Sequence, residues 1–232
     1  MLNFLGIGAQ KSGTTWLYDK LSQHPAVSFP AGKEVHFWDA QRSQGVQWYR
    51  ALFDVPDGRL HGDITPAYGF LPQSVIAEVF AEFPDVRLVY LVRNPIERAW
   101  SSAKMAVKRA EMLVSEASDQ WFIDHFCSAG SLARGDYEGC LKNWYAVYPE
   151  DNMLVLRFDE LVEQPLHLLE KCCRHLGLDN IYTSGAISLH DWVFAGEPDA
   201  IRPSLLPILH EMYDSKIHSF AQYLDEDLSA WL

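Results

Sequence analysis

The order of apolar and polar positions along the chain predicts short buried strands and amphipathic helices. Continuous apolar runs of strand length, as expected for strands covered on both faces, occupy residues 4–8, Arg87–Val92 and Met153–Arg157. Apolar residues recur at helical spacing in residues 14–21, 72–83, 95–107 and 165–176. Strands that lead into helices in this way are typical of an α/β domain with a parallel sheet.

A glycine-rich loop, residues 8–15, connects the first predicted strand to the first predicted helix. A helix start has unpaired N–H groups and the positive end of the helix dipole, so Ser12–Trp16 is predicted to bind an anion without a metal. In loops that bind nucleoside triphosphates, a lysine follows the second glycine and reaches the β- and γ-phosphates. Thr14 occupies that position here, and the lysine, Lys11, lies inside the loop. The loop therefore predicts a phosphorylated ligand of another kind.

A second anion site is predicted after the strand Arg87–Val92. Arg93 follows this strand, and Asn94 is placed to cap the next helix, with Pro95 at its first position. Open α/β sheets bind ligands at the carboxyl ends of their strands, so Arg93 is expected to bind an anion there. A Mg²⁺-dependent nucleotide enzyme would be expected to carry an aspartate at this place. Two anion sites without a metal carboxylate suit a donor that has two separate phosphate groups.

Length and composition fit one domain. The chain has 232 residues, of which 48% are hydrophobic, so it is long enough for a full core and within the size of a single α/β domain. We predict one domain, residues 1–232, with a P-loop-like three-layer α/β fold in which helices flank a central parallel sheet. No segment has the roughly 18 to 20 continuous apolar residues of a membrane span, and no leader precedes Phe4. This predicts a cytoplasmic protein without stable membrane insertion.

Charge and side-chain spacing exclude several classes of ligand. The net charge of −12 argues against nucleic acid or a heavily sulfated glycan, because such polyanions bind basic surfaces. The four cysteines show no C-x-x-C spacing and the nine histidines no H-x-x-x-H pair, so neither a disulfide framework nor a metal site is predicted. The oligomeric state stays open, because helix faces that bury a core and those that bury a partner have the same pattern.

Several motifs occur in a distinctive order. Residues 10–17 read Gln-Lys-Ser-Gly-Thr-Thr-Trp-Leu, residues 33–39 read Lys-Glu-Val-His-Phe-Trp-Asp, and residues 93–101 read Arg-Asn-Pro-Ile-Glu-Arg-Ala-Trp-Ser. Together they resemble the sulfotransferases that use 3′-phosphoadenosine 5′-phosphosulfate (PAPS), closest in motif to the glycan-modifying and bacterial branch. The three motifs are similar to the family's 5′-phosphosulfate loop, acceptor-site segment and 3′-phosphate element, respectively. The resemblance continues through Gly135–Tyr137 and Leu154–Leu161 to residues 224–231, so it covers nearly the whole chain.

The resemblance implies a donor, a product and a set of site residues. The donor would be PAPS and the product adenosine 3′,5′-bisphosphate (PAP), with no metal required. The acceptor would be a hydroxyl or amine of a glycan, a lipid or a small molecule. Implied donor ligands are Gln10, Lys11, Ser12, Gly13, Thr14, Thr15, Trp16, Arg93 and Ser101, to which the segment 196–203 adds Arg202. Candidate catalytic residues are Lys11, at the departing 5′-phosphate, and Glu34 and His36, at the acceptor.

Two candidates for the catalytic base stay open. If residues 33–37 are extended, Glu34 and His36 project from the same face. Burial among aromatic neighbours is expected to raise the pKa of Glu34 toward neutral pH, whereas histidine starts near about 6.5. The resemblance favours Glu34, with His36 as an assisting base or acceptor ligand and Asp39 as an orienting group.

One position departs from the family pattern. Glycan-modifying relatives often carry a lysine directly before Thr-Pro, where this chain has Ile64, so the role of that lysine cannot be carried over. Two other functions also fit a phosphate-binding loop: a P-loop kinase of a small metabolite and a non-catalytic nucleotide-binding module. The position of Lys11 and the missing aspartate after Arg87–Val92 count against the kinase. In a binding module Glu34 would be superfluous.

Overall fold

A computed structural model describes residues 1–184, 187–189 and 200–232 of the chain. The contacts within it divide the chain into two compact units. The sheet unit comprises Met1–Val92 and Cys140–Phe194, and the helical unit comprises Arg93–Gly139 and Ala195–Leu232. The single domain over residues 1–232 stays a prediction.

The sheet unit is built on parallel strands in the order β2-β3-β1-β4-β5. Their bounds, in chain order from β1 to β5, are Leu2–Gly8, Val27–Ser28, Leu60–Ile64, Arg87–Val92 and Met153–Arg157. The three strands predicted from apolar runs are β1, β4 and β5, which are neighbours in the sheet. The central parallel sheet is therefore confirmed, and β2 and β3 extend it on the other side of β1.

Helices follow the strands much as the periodicity predicts. In chain order the helices α1 to α5 are Thr14–Ser22, Val46–Ala51, Gln73–Glu82, Pro95–Arg109 and Asp119–Cys127. The helices α6 to α10 are Ala129–Arg134, Tyr137–Tyr145, Phe158–Glu163, Pro165–Leu176 and Leu206–Leu224. Over the described ranges, no helix combines the length and the apolar character needed to cross a membrane.

Both faces of the sheet are buried. Alternate residues of a strand point to opposite faces, and on one face Phe4, Val89 and Leu91 form a cluster with side chains of α1 and α9. The alternate positions, such as Ile7 and Leu88, are also fully buried. This burial on two sides explains why β1 and β4 are continuous apolar runs rather than alternating ones.

In the helical unit, α4 packs against α5 and α10 through the apolar stripe that its sequence predicts. The stripe residues are all buried: Ile96, Trp100, Ala103 and Val107. The Asn94 side chain caps this helix, because its oxygen accepts a hydrogen bond of 2.9 Å from the Ile96 N–H. The predicted cap is therefore confirmed, and Arg93 is the residue between β4 and that cap.

Candidate active site

The loop between β1 and α1 has an unusual backbone. Lys11 has a φ of 69° and Gly13 a φ of 93°, both in the left-handed region that side chains other than glycine adopt at a cost. Gly13 stands at the N-cap of α1, where no side chain caps the helix. The chain therefore turns from strand to helix within one short loop and leaves the helix start open.

Two features of this loop leave polar groups open to a ligand. The Ser12 side chain is completely buried, yet its Oγ has no hydrogen-bond partner in the described part of the chain. Buried hydroxyls rarely lack a partner in folded proteins. The first N–H groups of α1 also have no intrahelical acceptor. Phosphate oxygens accept hydrogen bonds from hydroxyls and from the N–H groups at a helix start. The loop therefore fits the phosphate that the sequence predicts.

The loop lies directly on the core. A Cβ on Gly13 would come within 2.8 Å of Leu161 Cδ1 and 3.3 Å of Leu91 Cδ2. Trp16 Nε1 donates a hydrogen bond of 3.2 Å to Leu189 O, and the indole belongs to the core cluster. Of the predicted donor ligands, Trp16 can therefore offer only its backbone N–H. The other flanking residues are partly or fully buried: Gln10, Lys11, Thr14 and Thr15.

Residues 33–39, which we call the acceptor segment, lie beside the end of β3. The Glu34 N–H donates a hydrogen bond of 3.1 Å to the carbonyl of Ile64, the last residue of that strand. β3 is the neighbour of β1 and runs parallel to it. The acceptor segment and the loop after β1 are therefore attached to the carboxyl ends of adjacent strands, where open α/β sheets bind their ligands.

The acceptor segment is not extended, so the condition under which Glu34 and His36 would project from one face of a strand is not met. Glu34 and His36 have φ values of 64° and 55°, and a single π-helical turn follows at residues 37–41. The side chains nevertheless meet, because His36 Nε2 is 3.6 Å from Glu34 Oε2. On its other side, His36 Nδ1 is 2.9 Å from Asp39 Oδ2. The three side chains thus form a row, Asp39–His36–Glu34, in which Asp39 fixes the imidazole ring of His36.

The charge around Glu34 also differs from the expectation. Burial alone would raise the pKa of Glu34, but the Lys33 ammonium, hydrogen-bonded to the Glu34 carboxylate, and His36 together outweigh burial and hold that pKa below its ordinary value. The expected upward shift was therefore wrong. Its cause is a cation on the adjacent residue, and Glu34 is ionised at neutral pH in the free protein.

A buried carboxylate lies behind the acceptor segment. Asp63, in β3, is completely buried. Its Oδ2 accepts hydrogen bonds from the hydroxyls of Tyr49 at 2.8 Å and Tyr68 at 3.0 Å, and its Oδ1 accepts one from Thr65 Oγ1 at 2.7 Å. Burial raises the pKa of Asp63 above its ordinary value, although these three donors oppose the shift. We call Asp63 and its three hydroxyl donors the Asp63 network.

The Asp63 network holds three consecutive residues of the acceptor segment. The Val35 N–H donates to the Asp63 carboxylate itself. The next N–H group, that of His36, lies 3.4 Å from Thr65 Oγ1, and that of Phe37 donates to the Tyr68 hydroxyl at 2.9 Å. One buried charge therefore fixes, directly or through one hydroxyl, the backbone from which Glu34 and His36 project.

Ile64 contributes no polar side chain to this site. It is completely buried in the core cluster, and its Cγ1 lies 2.8 Å from the position that a Cβ on Gly6 would take. The position where relatives carry a lysine thus faces the core in this chain. The lysine that contacts Glu34 is Lys33 instead.

In the helical unit, two of the predicted 3′-phosphate ligands lie on or next to α4. The Arg93 guanidinium forms a salt bridge with Glu97, with 2.7 Å between Nη2 and Oε2. The carbonyl of Arg93 accepts a hydrogen bond of 2.8 Å from the Tyr137 hydroxyl, which fixes the backbone at this point. Ser101 is half-buried on the same helix.

Arg202, the third predicted ligand, has structural contacts within the helical unit. Its guanidinium lies 4.7 Å from the centre of the Phe122 ring, forms a salt bridge of 2.6 Å with Asp119, and donates a hydrogen bond of 2.8 Å to Ala117 O. To bind a phosphate, Arg202 would have to exchange Asp119 for it. Of the segment 196–203 that suggested this residue, 196–199 lie outside the described residues.

Sequence reasoning did not identify Lys33 or the residues of the Asp63 network as part of this site. Lys33 is next to Glu34 in the chain, and this adjacency of opposite charges was the available signal. Asp63 and Thr65 are two residues apart near the end of a short strand, which places them on one face, but the strand itself was not predicted. Tyr68 gave no signal, because its role depends on the turn after β3.

The fold and the loop fit the class of proteins that bind a phosphorylated ligand at the carboxyl edge of a parallel sheet. The family model described as "Sulfotransferase domain" matches residues 3–194, and the chain belongs to the sulfotransferase family. Human heparan sulfate glucosamine 3-O-sulfotransferase 3B1 is 32% identical over 184 residues, which cover 76% of this chain and 46% of that protein. The chain spans about half the length of such curated relatives.

Solved structures agree with the fold. The crystal structure of a sulfotransferase from Alicyclobacillus acidocaldarius is similar with a TM-score of 0.75 and 23% identity, over 100% of this chain and 98% of that one. A mouse sulfotransferase complexed with PAP is similar with a TM-score of 0.54 and 15% identity, over 93% of this chain and 64% of that one. Sulfotransferases therefore share the P-loop-like α/β architecture described above.

Replacement of Tyr68 by phenylalanine tests the link between Asp63 and the acceptor segment. Tyr68→Phe removes a donor to Asp63 and leaves the Phe37 N–H without its acceptor, so we expect a loss of about 1 to 3 kcal/mol in the free energy of unfolding. We also expect faster amide hydrogen exchange at residues 35–37, measured by mass spectrometry or NMR. The matched control is Tyr148→Phe, which removes a buried hydroxyl bound to Phe83 O. The control should leave exchange at residues 35–37 unchanged. If Tyr68→Phe leaves it unchanged as well, the Asp63 network does not hold the segment.

Proposed function

We propose that this protein transfers a sulfuryl group from PAPS to a hydroxyl or amine of a glycan, lipid or small-molecule acceptor, in line and without a metal. The observation that carries the proposal is the loop after β1: an uncapped helix start, a buried Ser12 Oγ without a hydrogen-bond partner among the described residues, and Lys11 within the loop. Membership of the sulfotransferase family supports the same donor.

Each anion site is assigned to one phosphate of the donor. The 5′-phosphosulfate is bound through hydroxyl and backbone N–H groups of Ser12, Gly13 and Thr14 and of the flanking Gln10, Thr15 and Trp16. Lys11 stabilises the charge that develops on the bridging oxygen and the departing 5′-phosphate; groups in such roles typically contribute about 3 to 4 kcal/mol. Arg93 and Ser101 bind the 3′-phosphate, and Arg202 joins them if it releases Asp119.

The acceptor is deprotonated at the acceptor segment. Glu34 is the base, because it is ionised and one of its oxygens faces His36. His36 assists by holding the acceptor or by sharing the proton, and Asp39 keeps the imidazole oriented. The Asp63 network keeps these side chains in place during the reaction, which matters because positioning is a large part of catalysis in group transfer.

The proposal also covers the acceptor, the partners and the cellular location, for which the relatives and the composition are the support. The curated relatives are named for the sulfation of heparan sulfate glucosamine, and a glycan acceptor is therefore one candidate. The net charge of −12 favours an acceptor less anionic than a heavily sulfated chain, such as a neutral sugar, a lipid or a small natural product. The same net charge argues against a nucleic acid partner. The lack of a long apolar segment in the sequence is the basis for proposing a cytoplasmic location. A screen of acceptors with labelled PAPS would identify the substrate.

Ligand-induced stabilisation distinguishes the proposed enzyme from a kinase. We expect PAP, without Mg²⁺, to raise the melting temperature more than ATP with Mg²⁺ does, because at equal concentrations the ligand that binds the folded state more tightly stabilises it more. Differential scanning fluorimetry at equal ligand concentrations measures this, with AMP as the control that lacks the 3′-phosphate. The reverse ranking of PAP and ATP would favour the kinase. PAP binding without sulfuryl transfer to any acceptor would favour the binding module.

Replacement of Arg93 tests the 3′-phosphate site. Arg93→Ala should remove most of the preference for PAP over AMP, measured as the ratio of their dissociation constants by calorimetry, because a charge-assisted contact to phosphate is lost. Arg87→Ala is the matched control, since Arg87 lies at the opposite end of β4 and donates to Asp151 O. An Arg93→Ala variant that keeps the preference would contradict the assignment.

The pH dependence of turnover separates the two candidate bases. The pKa of Glu34 is held below its ordinary value, so with Glu34 as base, kcat/KM should fall only below about pH 4.5, whereas a histidine base would give a fall near about pH 6.5. Glu34→Gln should abolish most of the activity at every pH, and His36→Ala should reduce it less. If Glu34→Gln retains turnover while His36→Ala abolishes it, His36 is the base.

A further inference from the structure

The two oxygens of the Glu34 carboxylate lie in different surroundings. Oε1 accepts a hydrogen bond from the ammonium of Lys33, whose side chain is only 15% exposed. Oε2 faces His36 Nε2 at 3.6 Å, which is too long for a hydrogen bond. Oε1 is thus held by Lys33, whereas Oε2 faces the imidazole of His36.

The main chain at Glu34 is fixed, so the orientation of the Glu34 carboxylate depends on the side chains that restrain it, Lys33 above all. The Glu34 N–H is tied to Ile64 O, and the next residues are held by the Asp63 network, so the main chain is fixed. The Glu34 side chain is 46% exposed, and a side chain at that exposure samples several rotamers unless a partner restrains it. Among the described residues, Lys33 and His36 are the side chains that lower the pKa of Glu34.

We propose that Lys33 is a positioning residue for sulfuryl transfer: its ammonium holds Oε1 of Glu34, so that Oε2 points toward His36 and receives the proton of the acceptor. In the step, the acceptor oxygen or nitrogen forms a bond to sulfur, and its proton passes to Oε2 of Glu34. The bond between sulfur and the bridging oxygen breaks, and PAP leaves with the electron pair. This inference rests on the proposed function, because it assigns Glu34 the role of base.

The proposal predicts how Glu34 titrates, and this can be measured without a known acceptor. The carboxyl carbon of Glu34, assigned by the loss of its signal in Glu34→Gln, is followed by ¹³C NMR as the pH changes. In Lys33→Met the midpoint should rise by about one pH unit or more, because the nearest opposite charge is gone and burial then dominates. Lys33→Arg keeps the charge and should stay near the wild-type midpoint. Melting temperatures confirm that both variants are folded.

Turnover provides the second readout. The acidic limb of kcat/KM should move upward in Lys33→Met by the same amount as the NMR midpoint, with the affinity for PAP unchanged. In the Glu34→Gln background, Lys33→Met should have no further effect, because a residue that acts only through Glu34 loses its influence with it.

Each arm can overturn the inference separately from the proposed function. An unchanged NMR midpoint in Lys33→Met shows that Lys33 does not control Glu34. A further loss of activity when Lys33→Met is added to Glu34→Gln shows that Lys33 contacts the substrate itself. Failure of the wild-type protein to bind PAP or transfer sulfate would defeat the proposed function and would leave the NMR result standing.

Discussion

The buried charge of Asp63 is the constraint on which the acceptor side of the structure depends. A carboxylate deep in a protein is stable only if hydrogen bonds replace its lost hydration, and here three hydroxyls and one backbone N–H do so. Burial raises the pKa of Asp63 in the folded state, so its contribution to stability is largest below its unfolded pKa and declines as the pH rises through the folded value. Part of that stability is exchanged for a fixed acceptor segment.

Backbone strain concentrates in the candidate catalytic residues. Among the described residues, five that are not glycine have a φ in the left-handed region, and three of them are the candidate catalytic residues Lys11, Glu34 and His36. Such conformations cost energy and persist only where the surrounding structure imposes them. The core beneath the loop imposes one, and β3 with the Asp63 network imposes the others. The strain is thus maintained by packing and by a buried charge, at the ends of two adjacent strands.

The sequence predicted what local pattern determines. The elements with long apolar runs or clear helical spacing were all found close to their predicted bounds: β1, β4, β5, α1, α4 and α9. β2 was missed because it has only two residues. β3 is as long as β5 but was missed because it contains Gly62 and Asp63, which are uncommon in strands. The direction of the Glu34 pKa shift and the left-handed backbone of the acceptor segment were also missed. Both depend on contacts with residues that no periodic pattern identifies.

The absence of space for a side chain at Gly13, above Leu161 and Leu91, has a consequence for binding of the proposed donor. Because the loop rests on side chains that are already packed, its shape is set before any ligand arrives, and binding spends little free energy on ordering it. The interior of the sheet unit and the affinity for the donor are then coupled. A change of volume beneath Gly13 would alter the shape of the loop, and with it the affinity for the proposed donor, without touching the ligand.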